Sequence, residues 1–355
     1  MDTGRIAMTS IIAAFTDGAR RVWRAPAILA GVYLLLLVTT TLPGLVVRED
    51  IAASLGSSAD ADTMLNGVNL EWWDRFGESA SGLSRSFSPT IIGVGVALDN
   101  LGRMLDNGPP LDYEAVPVAV LALAGACMLV WLFLAGGILD RFARDRATRG
   151  RAFFGACGMY VPRFLRLGIL GLAGYWLLFG LVHGWLFARL WNWATHDMTV
   201  ERTAFVLRLA LYAVFGALLL FWNAVLDYAK IRAVVEDRYS MLGALLAAWR
   251  FVVSKPAAAG GLYLLNGSCF VVVLVLYALV APGAAGGGLR IWTGFAIGQV
   301  YILARLFVKL AFYASQTALF QQSLAHAAYT AAPVPVWPDS PGAEAIVNAA
   351  DARRG

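Results

Sequence analysis

Charge is scarce in this sequence. Only 14% of its 355 residues are Asp, Glu, Lys or Arg, against ~25% in an ordinary soluble domain. So few charges cannot clothe a water-facing surface, so lipid must be the solvent for much of the chain. Lysine is almost missing: Lys230, Lys255 and Lys309 are the only three, and the other basic residues are Arg. Cysteine is limited to Cys127, Cys157 and Cys269, all in or beside apolar runs and without a CxxC pair. That excludes a disulfide framework and a zinc site. Histidine is equally rare, and only His183 falls inside an apolar run, with His196 and His326 outside. A bis-histidine haem is thereby excluded, and no cofactor or metal is expected.

Catalytic signatures are missing as well. There is no Walker sequence, HExxH or GxSxG, and no carboxylate cluster inside an apolar run. Asn266-Gly267-Ser268 is not a rhomboid-type serine motif. Gly286-Gly287-Gly288 lacks the strand–helix setting of a phosphate loop. These absences disfavour an enzyme, and no nucleic-acid partner is expected.

What the sequence does have is long apolar runs. A spanning helix needs ~20 mainly apolar residues, and six stretches meet that: about 27–47, 116–139, 167–191, 204–226, 257–281 and 291–316. Pro26 and Pro256 stand just before two of them, where a helix tolerates the missing N–H. Pro43-Gly44 predicts a kink or early stop in the first. The first run exceeds the ~7–15-residue core of a signal peptide and follows a long lead, so a retained anchor is expected.

Basic residues in short connections set orientation. Arg20, Arg21 and Arg24 precede span one. Seven Arg from Arg141 to Arg166 lie between spans two and three, and Lys230, Arg232, Arg238, Arg250 and Lys255 lie between spans four and five. The opposing connections are poorer in Arg, and the long first one is acidic. Both termini are therefore expected on the basic, cytoplasmic side. The expected organisation is a cytoplasmic amphipathic segment over 1–26, a six-span membrane domain over 27–328 containing an outer loop over 48–114, and a proline-rich tail over 329–355. In the outer loop, Trp72-Trp73 suit the membrane interface, and 89–106 has the pattern of an amphipathic helix.

The chain also echoes itself. The segment from Arg20 to Pro26 lies over that from Arg250 to Pro256, and Tyr33 over Tyr263. A second register sets Leu139-Asp140 over Leu226-Asp227, Arg151 over Arg238, Arg163-Phe164 over Arg250-Phe251 and Gly174 over Gly261. The fold class read from this is all-α: a polytopic transmembrane bundle of about six spans, built as three repeated hairpins launched by basic interfacial helices. One such helix is expected from Ile231 onward, with Val234, Val235, Met241, Leu242, Leu245, Trp249 and Val252 at helical spacing.

Ionisable groups within spans need a partner or a role. Arg305 and Lys309 sit one turn apart in the last span, while Asp140 and Asp227 end spans two and four. At least one of these aspartates is expected to pair with Arg305 or Lys309. Arg189 and Arg208 near the outer ends suit snorkelling. Asn223, Asn266, Ser268 and Gln299 suit interhelical hydrogen bonds. Trp72, Trp73, Arg238, Trp249 and Arg250 are candidate contacts for a partner protein or for membrane lipid.

Asp237, Gly243 and Pro256 repeat, over about twenty residues, a spacing similar to the cytoplasmic loop of bacterial ABC importer permeases. Arg238-Tyr239 and Lys255 depart from that pattern. The stretch Leu226-Asp227-Tyr228 through Val234, then Ala248 to Phe251 and Pro256, with a long loop after span one, resembles the layout of poorly characterised six-span bacterial membrane proteins. One of these is the membrane domain attached to some glycerophosphodiester phosphodiesterases. That resemblance implies a bacterial inner membrane and carries no catalytic motif. The leading expectation is a non-catalytic accessory or assembly subunit of an envelope complex. The alternative is a permease-like transport protein with a polar path near Asp140, Asp227, Arg305 and Lys309.

Overall fold

The computed structural model describes residues 3–56, 60, 63, 69–86, 118–281 and 288–331. The expected amphipathic helix over 89–106 and the proline-rich tail lie outside the described residues. The described helices are α1 (Thr3–Trp23), α2 (Pro26–Gly56), α3 (Leu70–Ser79), α4 (Val118–Arg144), α5 (Gly150–Thr195), α6 (Glu201–Val235), α7 (Met241–Ser254), α8 (Pro256–Val280) and α9 (Leu289–Ala331). Six of them, α2, α4, α5, α6, α8 and α9, are long and apolar enough to cross a bilayer. The fold is the all-α membrane bundle expected from the sequence.

Proline placement explains how each outward unit is cut. Pro256 opens α8 at the position where a proline loses no intrahelical bond, and Pro26 opens α2 in the same way. In the register that superposes Arg163 on Arg250, the residue facing Pro256 is Ile169. No proline interrupts the backbone there, so the basic-side helix and its span run on as the single helix α5. Of the kink or early stop expected at Pro43, the stop does not occur, and the helix continues to Gly56. The expected outer loop therefore begins inside a helix. The Thr40 and Thr41 hydroxyls donate back to the Leu36 and Leu37 carbonyls, 2.8 and 2.6 Å away, so this stretch carries its own polar groups within the helix.

Burial is uneven along the bundle. In α2 and α8 only 6% of the most apolar stretch is buried, and in α4, α5 and α6 11%. The outer parts of these helices thus present side chains such as Leu34, Val38, Leu121 and Val272 to lipid. The packed core sits toward the basic side, around Leu139, Tyr160, Phe164, Val225, Tyr228, Ile231, Leu262 and Phe320.

Helix α1 belongs to that core. It was expected as an amphipathic segment at the surface, but it lies against α8 and the second half of α9. Ala14 is fully buried and Val22 nearly so. Gly18 makes this approach possible: a Cβ there would come within 2.5 Å of the Ser315 backbone. Arg21 then fastens three helices. It donates to Asp17 on its own helix, to the Phe142 carbonyl on α4 at 2.7 Å and to Gln321 Oε1 on α9 at 2.8 Å. Gln321 in turn donates to the Ala143 carbonyl at 2.7 Å.

Glycines also set α4 against α5, and α5 against α6. A Cβ at Gly137 would meet Cys157 Sγ at 2.5 Å, and one at Gly174 would meet the Trp222 indole at 2.1 Å. Gly137 also lets the Phe153 carbonyl approach to 2.9 Å of that Cβ position, while Gly174 makes room for an indole, a use of small residues at helix crossings that is common in membranes.

The segment after Ile231 differs from the single interfacial helix expected. Helix α6 ends at Val235, Asp237 takes a left-handed conformation (φ 48°), and Ser240 caps a separate helix α7 by accepting from Gly243 N. The apolar positions read from the sequence divide: Ile231, Val234, Met241 and Val252 are buried, whereas Leu242 and Trp249 are exposed. A second stripe on α7, made of Leu242, Leu246, Trp249 and Val253, faces outward.

Candidate functional site

The feature with the most chemistry is a cavity of about 270 Å³ between α4, α5, α6 and α9. One wall is apolar: Met128, Trp131, Leu132, Leu167 and Leu172. Its polar groups are Asp227, Lys230 and Tyr313, with Tyr175 and Asn223 farther from the basic side. Glycine at 168 and 171 leaves the α5 wall open.

Asp227 organises the polar groups. Lys230, three residues on and therefore on the same helix face, donates to Oδ1 at 2.7 Å. Tyr263 from α8 donates to Oδ2 at 3.2 Å, and Gln316 from α9 reaches the same oxygen at 3.4 Å. The aspartate side chain is 17% exposed and the lysine 25%. Both charges are thus largely out of water, and the pair persists because the carboxylate has these further donors. On the opposite rim Tyr175 donates to Asn223 Oδ1 at 2.6 Å, and the amide nitrogen of Asn223 returns to the Leu219 carbonyl.

The expected pairing of an aspartate with Arg305 or Lys309 does not form. Each aspartate takes a partner from its own helix instead, Asp227 with Lys230 and Asp140 with Arg144 at 2.8 Å. The i,i+3 and i,i+4 spacings bring these groups together without any tertiary cost, whereas Arg305 and Lys309 point from the exposed face of α9. The Lys309 ammonium lies 3.5 Å from the centre of the Trp131 ring, and Trp131 lines the cavity. The Arg305 guanidinium lies over Phe270 and Tyr301 at 5.6 and 5.4 Å. These are cation–π placements. Among the described residues neither cation has a carboxylate partner. Lys230 and Asp227 thus face the cavity, and Lys309 flanks it at Trp131.

The other candidates are placed as follows. Trp72 is buried on α3, stacked on Phe76 with ring centres 5.0 Å apart, while Trp73 is half-buried beside it. Asn69 caps that helix, and Arg75 pairs with Asp60 at 2.7 Å. Trp249 is exposed on α7 and meets Phe221 edge-on, and Arg250 is exposed beside it. Arg238 folds back onto Glu236, which also accepts from Arg232 at 2.8 Å. Burial opposes the Glu236 charge, but hydrogen bonds from Arg232 and Arg238 outweigh it and hold the carboxyl below its ordinary range. Asn266 donates to Ser315 at 3.0 Å and Tyr33 donates to Gln299 at 2.7 Å, both between helices, whereas Ser268 only bonds back to its own helix. Tyr175, Tyr263 and Tyr313 escaped the sequence reading. Their one signal is tyrosine, rather than phenylalanine, at positions facing Asp227.

Among the described residues no group of His, Cys, Asp and Glu is arranged to hold a metal ion. The layout defines an integral, multi-pass membrane protein. Comparison with protein-family models, with curated proteins and with solved structures gives no match, so the cavity has to be read from its own geometry.

Proposed function

We propose that the protein is a permease-like membrane transport protein for an anionic amphiphile, and that the cavity between α4, α5, α6 and α9 receives it. The observation that carries this is the pairing of an apolar wall with polar groups centred on Asp227 and Lys230, and with a further cation, Lys309, against the Trp131 wall. An acyl chain suits Met128, Leu132 and Leu172. An anionic head suits Lys230, with Lys309 and Arg305 supplying further positive potential in a medium of low dielectric. The tyrosines and Asn223 offer hydroxyl and amide partners for the head group. In this reading the basic face is cytoplasmic, in the inner membrane of a bacterium, and the amphiphile enters from the leaflet on that side.

The test is native mass spectrometry on protein released from bilayers of equal parts phosphatidylglycerol and phosphatidylcholine. Selective retention of phosphatidylglycerol is expected, and it should be lost in the double variant Lys230→Met, Lys309→Met. Equal retention of both lipids by wild type, or unchanged selectivity in the variant, would sink the proposal. The alternative of a non-catalytic accessory subunit acting through its exposed surfaces would then stand.

A further inference from the structure

A second cavity, of about 210 Å³, lies between α5 and α6 near the end of the bundle away from the basic connections. It is lined by His183, Gly184, Phe187, Ala188, Trp191, Arg208 and Tyr212. His183 is only 1% exposed, yet neither ring nitrogen has a hydrogen-bond partner. Buried polar groups nearly always find a partner, and this imidazole is instead held by rings: Phe187 at 4.5 Å and Phe215 at 5.1 Å between centres. The backbone that presents it is unusual as well. Helix α5 widens into π-helical turns over Leu177–His183 and again over Trp185–Leu190. Such turns are rare and gather at functional sites.

The lining is rich in donors. The unpartnered imidazole offers one N–H when neutral, the Arg208 guanidinium brings positive charge to the lining, and no carboxylate lines the cavity. The Arg208 guanidinium stands over the Trp191 ring at 5.8 Å, so charge and aromatic wall lie together. The volume is below the ~300–1,000 Å³ of pockets for drug-sized ligands, which excludes a porphyrin and admits a small acidic group. Arg208 lies two turns into α6 from Glu201.

We infer that this cavity is an oxyanion site, taking a phosphate-type group with His183 as hydrogen-bond donor and Arg208 as charge partner. The group comes either from a phospholipid head or from free phosphate. The site stands on its own observations and does not depend on the proposed basic-side cavity.

The test uses the full chain in mild detergent, on a Lys230→Met, Lys309→Met background so that the first cavity cannot contribute. Dihexanoyl phosphatidylglycerol and inorganic phosphate are titrated separately. The readouts are thermal stability and the ¹⁵N resonances of labelled histidine. With only three histidines in the chain, His183 can be assigned by difference. Saturable movement of the His183 resonances with a rise in Tm is expected. A response to the lipid alone assigns a lipid head, and a response to phosphate as well assigns a free oxyanion. His183→Phe, which removes the orphaned nitrogens at similar volume, should raise the ligand-free Tm and abolish the ligand-induced rise, as should Arg208→Gln for the latter. A wild-type His183 resonance indifferent to both ligands overturns the inference, as does a full ligand response in folded His183→Phe.

Discussion

Replacing Gly18 by Ala adds one methyl group at the point where α1 touches α9. That methyl would stand 2.5 Å from both the nitrogen and the Cα of Ser315, whereas ordinary contact begins near 3.4 Å. The obstructing atoms are backbone, so no side chain can swing away, and the helices must part by about 0.9 Å. Overpacking of this kind costs about 1–3 kcal/mol. Alanine returns ~0.5–1 kcal/mol through its higher helix propensity, leaving a net loss centred near ~1 kcal/mol and at most about 2.5 kcal/mol. Separation also strains the three-helix clasp of Arg21, whose side chain is 11% exposed. Gly31 supplies the control, because a Cβ there meets nothing within 4 Å; Gly31→Ala should be neutral or slightly stabilising. Thermal unfolding in detergent measures the first effect, and the rate of tryptic cleavage at Arg20 and Arg21 measures undocking. If Gly18→Ala melts with wild type and is cleaved no faster, α1 does not depend on close contact with α9 and the packing argument is wrong.

Arg21→Lys keeps the charge but cannot reach Asp17, Phe142 and Gln321 together; it should lose most of what Arg21→Ala loses, about 2–4 kcal/mol, as read from thermal melts of both variants. Glu236 gives a pH signature. Because its folded carboxyl titrates below the usual carboxylate range, its contribution is complete above the unfolded value of ~4.3 and is lost as pH falls through the lower folded value; in Glu236→Gln the fall in Tm between pH 5 and 3 should be shallower than in wild type. Gly174→Leu, which collides with the Trp222 indole, should separate α5 from α6, destabilise by about 2 kcal/mol or more and shift tryptophan emission. Gly168→Phe projects into the first cavity, where the nearest atom is Leu132 Cδ1 at 3.8 Å; it should cost under ~1 kcal/mol while eliminating phosphatidylglycerol retention, and undiminished retention would argue for a different binding surface.

The six spans were legible because a span needs only length and apolarity, and both are local properties. The start of α8 at Pro256 was legible for the same reason. Partner choice was not. Asp227 had candidates within one turn and across the bundle, and the sequence pattern ranks neither; the local lysine won because helix geometry already placed it in reach. The role of α1 was hidden because a moderately apolar face with flanking Arg looks alike whether it meets a membrane surface or a neighbouring helix. Only Gly18, in contact with Ser315 nearly three hundred positions away, distinguishes the two. The break between α6 and α7 turned on a left-handed Asp237, and aspartate is no firm sign of that conformation. His183 was visible as the single histidine in a span, yet that its nitrogens lack partners became apparent only from what surrounds them.

The docking of α1 has a consequence for biosynthesis. Translation delivers α1 before its partners: Val22 meets α4, while Ala14 and Gly18 wait for the much later α8 and α9. Insertion of the six spans can proceed in order, but closure of the basic-side core must wait for α9. A chain truncated before α9 would therefore display an uncovered apolar helix next to the membrane.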